Sequence, residues 1–494
     1  DPFITTPNIS NSIRANNLVE KIELLSTGKI IISGHFSTYN NVFKRYVARL
    51  NTDLTLDNSF TAAIATASIG SQQYFASLRD FGIQSDDKLI VVTDGPYSYG
   101  GSSAIARLDQ NGNIDPTFVT GTGIGQTDTV EGGAYCNIEA CAVQPDGKIL
   151  IGGQFDTYNG TLVRTMIRLN PDGSIDPTFT FPFHGVSNSV NRIVVMPSGD
   201  ILVSGAMFPT VPVEAMQRNL VKLDTYGNLD TTFTIGSTGL LSEFNPQSVC
   251  VGCSKFHILK ILVQPSDGKI LIAGAFNKYN NIPVNGIVRL ETNGEIDPTF
   301  NDGASGSNRV IYDLDLETPS SNISNILFCG EFSTYNGASV KKMARMTYNG
   351  ELDESFSIGT GTLNSGSGHN YIRALKRQSD GKIIVGGRFT SFNGITAGNI
   401  TRIQGDNGLQ ARSSVTEYVS EPEKDIYLTF GSIKIYPNPS NGLFNIDLTE
   451  EEFDFNVISI HNLLGVSVYS SSIVSNEINQ IDLSHLPSGY YIAK

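Results

Sequence analysis

The sequence predicts an all-β chain: a seven-bladed β-propeller of four-stranded antiparallel blades, followed by a small β-sandwich. Three observations predict it. One unit recurs seven times, at intervals of roughly 52 to 69 residues. Each clear copy carries three hairpin-type turns, enough to join four strands. The composition has 49 Gly, no Trp and only 17% charged residues, with Val, Ile, Thr, Tyr and Phe in short runs and no long stretch of helical spacing. At 494 residues the chain is also too long for a single core.

The unit is clearest at Asp146–Phe155, Asp-Gly-Lys-Ile-Leu-Ile-Gly-Gly-Gln-Phe. It returns at Thr27–Phe36, Asp267–Phe276 and Asp380–Phe389, with weaker copies beginning near Asp86, Ser198 and Ile323. Pro145-Asp146-Gly147, Tyr158-Asn159-Gly160 and Pro171-Asp172-Gly173 are the turns of the third copy. Asp-Gly and Asn-Gly supply the positive φ that tight hairpins require. The strand Lys148 to Phe155 is nearly continuous in apolar and Gly residues. Such a strand is covered on both faces, which one blade cannot do alone, so the blades must close into a ring.

A second regularity concerns charge. A basic residue follows the Phe by 13 positions in Phe36/Arg49, Phe155/Arg168, Phe276/Arg289, Phe332/Arg345 and Phe389/Arg402. An acid follows the basic residue by eight in Arg49/Asp57, Arg107/Asp115, Arg168/Asp176, Lys222/Asp230, Arg289/Asp297 and Arg345/Asp353. Across a three-residue loop such pairs fall opposite one another on one face, which predicts six structural ion pairs. The other reading is a ring of charged ligand contacts. In the seventh copy the matching position is Gln410, while the chain opens Asp1-Pro2-Phe3, like the Asp-Pro-Thr-Phe that ends other copies. The expectation is that the N-terminal segment supplies the outer strand of the seventh blade and brings Asp1 to Arg402; the alternative is that Asp1 is only where a longer protein was cut.

The Gly-Lys-Ile-Leu-Ile-Gly-Gly-x-Phe and Asp-Pro-Thr-Phe motifs resemble the delta-60 repeats of bacterial surface and secreted proteins. The resemblance covers residues 1–410 and implies a propeller with no settled activity. The second copy departs from it at Asp94-Gly95-Pro96-Tyr97 and the fourth at Met207-Phe208-Pro209.

Residues 411–430 read as a polar linker, with Ser413-Ser414 and Glu421-Pro422-Glu423-Lys424. Residues 431–494 then show short alternating strands and new turns, which predicts the small sandwich. The motifs are Tyr436-Pro437-Asn438-Pro439-Ser440-Asn441-Gly442, Leu464-Gly465, and Leu486-Pro487-Ser488-Gly489-Tyr490-Tyr491. They resemble the type A sorting domain of the type IX secretion system of the Bacteroidota. That resemblance implies export through the outer membrane. It also implies recognition by the translocon and its cargo shuttle protein, with Tyr436, Pro437, Asn438, Pro439, Gly442, Gly465, Leu486, Pro487, Ser488, Gly489 and Tyr491 as the signal. Members normally continue into a last strand, so the domain reads as truncated at Lys494.

Chemistry is sparse. The net charge of −14 disfavours a nucleic-acid partner. No apolar run is long enough to span a bilayer as a helix. The histidines His35, His184, His257, His369, His461 and His485 show no metal-ligand spacing, and no Gly-x-Ser-x-Gly nucleophile elbow occurs. Turns such as Asp109-Gln110-Asn111-Gly112 lack the closing Glu of a calcium loop. No cofactor is implied. Cys136/Cys141 and Cys250/Cys253 are spaced either for disulfides or as buried thiols, and Cys329 sits in an apolar run that favours a thiol. The recurring aromatics Tyr39, Tyr158, Tyr279, Tyr335 and Phe392 read either as a ligand rim for sugars or a protein partner, or as packing between blades. The function expected is a secreted or cell-surface binding protein of adhesin type, not an enzyme. The alternative is a secreted polysaccharide-degrading enzyme or its carbohydrate-binding accessory, which requires asymmetric carboxylates or His at the channel mouth.

Overall fold

The computed structural model describes residues 14–63, 78–93, 104–125, 137–163, 165–183, 189–207, 218–233, 240–241, 258–302, 305–317, 324–364 and 370–405. Beyond these it describes strands at 428–430, 433–436, 443–447, 457–461, 467–472, 478–482 and 492–493. The chain divides into two compact units, Asp1–Gln410 and Ala411–Lys494.

In the first unit, seven antiparallel sheets of three long strands follow one another along the chain. The third is representative: Asn137–Val143, Ile149–Gln154 and Met166–Leu169 pair in sequence order. Its middle strand is buried except at its last residue, because it has neighbours in the sheet on both sides and other sheets against both faces. Seven apolar cores alternate with the seven sheets. One joins Val92 and Ile105 of the second sheet to Ile138 and Ile151 of the third, and the next joins Leu150 of the third to Val203 of the fourth. The seventh core joins Ala374, Ile384 and Ile400 of the last sheet to Val19, Ile22 and Ile32 of the first. The ring is therefore closed, and the fold is a β-propeller.

Two departures from expectation have physical causes. The outer, fourth strand is reduced to a single bridge in six sheets, for example Leu169 to Ile175. The cause is Asp176: its carboxylate accepts the backbone N–H and hydroxyl of Thr178, which turns the chain, and Pro177 has no N–H to extend the ladder. The Tyr-Asn-Gly turn does not join the second and third strands directly. It forms a separate small hairpin, Thr157–Tyr158 with Thr161–Leu162, and the preceding linker adds Ile124–Gly125 to it.

The recurrent Gly-Gly has a close-approach role. A Cβ at Gly153 would lie 2.0 Å from the carbonyl oxygen of Asn137, so no other residue fits there without moving the first strand.

The second unit holds two antiparallel sheets. One orders Leu428–Phe430, Ile433–Tyr436, Leu443–Asp447 and Ile478–Asp482; the other orders Ser467–Ser472, Val457–His461 and Ile492–Ala493. Its edge strand Leu428–Phe430 reaches into the stretch read as linker, because it pairs with Ile433–Tyr436.

Candidate functional site: the mouth of the central channel

The first strand of each sheet packs against the first strands of neighbouring sheets, so these strands converge on the axis and line the channel. They are Val19–Leu24, Leu78–Ile83, Asn137–Val143, Ser189–Val195, Ile258–Val263, Ile311–Leu316 and Tyr371–Arg377. All seven slip register at the same place, near the strand start, as between Ile138 and Ala140. A β-bulge re-aims the unpaired residue. The residues at the seven slips are Glu20, Arg79, Glu139, Asn191, Leu259, Tyr312 and Arg373. The backbone device is uniform, yet its seven places carry five residue types.

Arg192, next after Asn191, shows that these groups converge. Burial lowers its pKa and Arg373 lowers it further, while Asp80, Glu139 and Glu20 oppose the shift. Arg373, Asp80, Glu139 and Glu20 belong to the seventh, second, third and first sheets, so charges of four other sheets act on Arg192. Its guanidinium donates to the carbonyls of Leu259 at 2.9 Å and Asn191 at 2.6 Å. At the mouth the Arg373 guanidinium lies 4.3 Å from the Tyr312 ring centre, and the Tyr312 and Tyr371 rings are 5.5 Å apart. The Tyr312 hydroxyl donates to Glu331 at 3.0 Å, and Glu20 lies 3.5 Å from His35.

Deeper in the channel, charges pair in a belt. Lys21 contacts Asp80 at 2.6 Å, Lys260 contacts Asp313 at 2.7 Å, and Lys376 contacts Asp315 at 3.3 Å and Glu23 at 3.7 Å. Burial opposes the charge on Glu23, but Lys376, Lys21 and Lys260 outweigh it and hold the carboxyl below its ordinary pKa. Burial likewise opposes the charge on Lys260, and Asp313 and Glu23 outweigh it. Asp315 is the exception: burial dominates and raises its pKa. The belt fixes the strands that carry the mouth residues.

The recurrent basic and acidic residues lie elsewhere, between the blades. Arg49–Asp57, Arg168–Asp176 and Arg289–Asp297 are 2.7 Å pairs; Arg107–Asp115 and Lys222–Asp230 are 3.0 Å; Arg345–Asp353 is 2.8 Å. Each Arg also stacks on the Phe that ends its motif, as Arg168 on Phe179 at 4.9 Å. Two parts of this network escaped the sequence reading. The Lys of the Gly-Lys motif joins the same carboxylate, as Lys148 joins Asp176 at 2.9 Å. The far nitrogen of the Arg donates to the turn of the next sheet: Arg49 to Gln110, Arg107 to Pro171, Arg168 to Thr225, Arg289 to Tyr348. Arg402 of the last sheet donates to Thr52 of the first at 2.6 Å, the same bond across the closure. Asp1 lies outside the described residues.

The proposed aromatic rim is corrected. Tyr39, Tyr158, Tyr279, Tyr335 and Phe392 are buried to within 1% of complete. The tyrosine hydroxyls donate inward to Leu54, Gly173, Gly294 and Gly350 carbonyls, and burial raises their pKa. They lock the small hairpin onto the Asp-Gly turn and offer no ligand surface. Cys141 is likewise a free buried thiol, packed in the core between the second and third sheets, and Cys329 is free and buried; Cys136, Cys250 and Cys253 lie outside the described residues. The Asp109 carboxylate is occupied by its own turn, accepting from the N–H groups of Asn111 and Asn113. Among the described residues no cluster of His, Cys, Asp or Glu is arranged to hold a metal ion. Of the sorting-signal residues, Tyr436 ends the strand Ile433–Tyr436. Pro437, Asn438, Pro439, Gly442, Gly465, Leu486, Pro487, Ser488, Gly489 and Tyr491 lie outside the described residues.

The family described as "Domain of unknown function (DUF5122) beta-propeller" matches residues 25–60, 84–118, 144–179, 266–300, 325–356 and 378–408. The "Secretion system C-terminal sorting domain" matches residues 434–494. The chain is a delta-60-type β-propeller protein with a type IX sorting domain. Export of this propeller protein therefore runs through the outer membrane, to the cell surface or the medium. No curated protein matches it significantly. Among solved structures, the extracellular domain of a protein described as a one-component system from B. thetaiotaomicron is 12% identical, with a TM-score of 0.43. That match covers 99% of this chain and 54% of the other, so the chain spans about half the length of that structure. Virginiamycin B lyase from Staphylococcus aureus is 14% identical (TM-score 0.41), covering 81% of this chain and 98% of the lyase. A xyloglucanase from Xanthomonas campestris is 10% identical (TM-score 0.43), covering 77% of this chain and 52% of the enzyme. No helix among the described residues is long and apolar enough to cross a membrane.

Proposed function

We propose that the propeller protein is a noncatalytic binding protein of adhesin type that works outside the cell and holds its ligand at the channel mouth. On this reading its sorting domain is taken up by the outer-membrane translocon and the cargo shuttle protein. The observation that carries the binding role is the bulge ring. Pairs, stacks and hairpin locks repeat from sheet to sheet as packing does, whereas Glu20, Arg79, Glu139, Asn191, Leu259, Tyr312 and Arg373 differ on one uniform backbone device. Packing needs no such variety; recognition of an asymmetric ligand does.

A hydrolytic reading is favoured by one observation, the asymmetric carboxylates Glu20 and Glu139, with His35 beside Glu20. One experiment separates the two. The protein is incubated with total extracellular polymer of a bacterial biofilm. Amide exchange of the seven first strands and the size distribution of the polymer are followed together. A binding protein slows exchange at the bulges and leaves the polymer intact. Polymer shortening that disappears in Glu139→Gln establishes the enzyme instead, and exchange unchanged at every bulge rejects the mouth as the site.

A further inference from the structure

Resting on the mouth as the binding site, we infer that its ligand is an uncharged, polyhydroxylated one: a neutral glycan, not a polyanion, polycation or peptide. Around the ring the bulge residues run Arg373, Glu20, Arg79, Glu139, then Asn191, Leu259, Tyr312. Among the bulge residues one arc alternates in charge and the other carries none; the one charge beside the second arc, Arg192, is opposed by Asp80, Glu139 and Glu20. Alternation leaves no single-sign field at the mouth to select a charged ligand, and the net charge of −14 repels polyanions.

What alternation does provide is donors and acceptors side by side. Arg79 and Arg373 only donate, and Glu20 and Glu139 only accept. A sugar hydroxyl both donates and accepts, so neighbouring hydroxyls bridge an Arg and a Glu while leaving each side chain's charge balanced by the other. A carboxylate or ammonium ligand satisfies one member of each pair and repels its neighbour. Leu259 and Tyr371, both half-buried, supply the apolar wall that the C–H face of a sugar ring covers, with the buried Tyr312 ring packed behind Tyr371. Preorganisation comes from below: the mouth side chains stand on strands fixed by the Lys21–Asp80, Lys260–Asp313 and Lys376–Glu23 pairs.

The test is affinity electrophoresis of the full chain against neutral polysaccharides (β-glucan, mannan, xylan, galactan), the anionic polymers alginate and polygalacturonate, and a mixed peptide pool scored by calorimetry. The expected result is retardation by a neutral polysaccharide, weakened about tenfold or more in Glu139→Gln and in Arg373→Gln. It should change by no more than about twofold between low and high salt. The isosteric Glu139→Gln keeps the fold, and an unchanged melting temperature verifies it. Retardation only by an anionic polymer, with steep salt dependence, overturns the inference, as does heat of binding from the peptide pool alone. In both cases a loss in the same variants leaves the mouth standing as the site. Failure of every neutral polysaccharide to retard the chain also overturns the inference.

Discussion

The pairs that the sequence spaces eight residues apart differ in how much each holds. Arg289 is fully buried and meets Asp297, itself 1% exposed. Asp297→Ala leaves an uncompensated guanidinium in the core and is expected to cost about 3–5 kcal/mol in chemical denaturation. Arg345 has a second acid, Glu317 at 2.8 Å, so Asp353→Ala should cost roughly half as much. The same carboxylates set the acid limit. Burial raises Asp57, Asp176 and Asp297, but hydrogen bonds from Lys, Ser or Thr and Arg outweigh it and hold them far below the ordinary range; Asp230 sits at about 2, with its bond from Thr232 the largest contribution. A depressed folded-state pKa gives stability that is complete above the unfolded value and is lost as pH falls through the folded one. Stability should therefore be flat from pH 7 to 5 and fall progressively below about pH 4. A melting temperature already declining between pH 7 and 5 would contradict this. Tyr279→Phe removes one buried hydroxyl bond and should cost about 1 kcal/mol without changing ligand affinity, since the ring contacts only the protein.

At the scale of the sheet, the fourth is the odd one. Lys222 replaces Arg, pairing with Asp230 and Asp200, while the Arg of four other sheets also donates to the next sheet's turn. Lys222→Arg gives that nitrogen the Thr292 carbonyl, the position matching Tyr348, and should stabilise by about 0.5–1.5 kcal/mol in urea titration. Much of this element was legible beforehand. The Asp-Gly turns and the unbroken apolar run at Ile149–Gly153 mark the middle strand, and the fixed spacing marks the Arg–Asp pairs. The fourth strand was not legible as a single bridge, because the Asx turn at Asp176 that stops it looks in sequence like any loop residue. Nor was the mouth. Bulges leave no residue signature of their own, and the mouth residues follow no single type from copy to copy. That lack of recurrence, two or three residues into the first strand of each copy, was the signal available. The aromatic column drew attention instead, because side chains that lock a hairpin repeat as faithfully as side chains that bind.

For the whole molecule, closure is the governing fact. The seventh core and the Arg402–Thr52 and Gln378–Thr52 bonds join the last sheet to the first. Removing residues 371–405 strips Val19, Ile22 and Ile32 of cover and should give an aggregating chain, not a smaller ring, by size-exclusion chromatography. The circle also presents two sets of side chains that compete for the binding role. One is the mouth. The other is the small hairpins, where Phe43 is 56% and Leu162 58% exposed. The direct test compares ligand affinity in Glu139→Gln/Arg373→Gln with that in Phe43→Ser/Leu162→Ser, both pairs in the full chain and both verified as folded. The mouth pair should lose about a hundredfold and the hairpin pair less than about twofold. The reverse ranking would place recognition on the hairpins and contradict the channel mouth as the site.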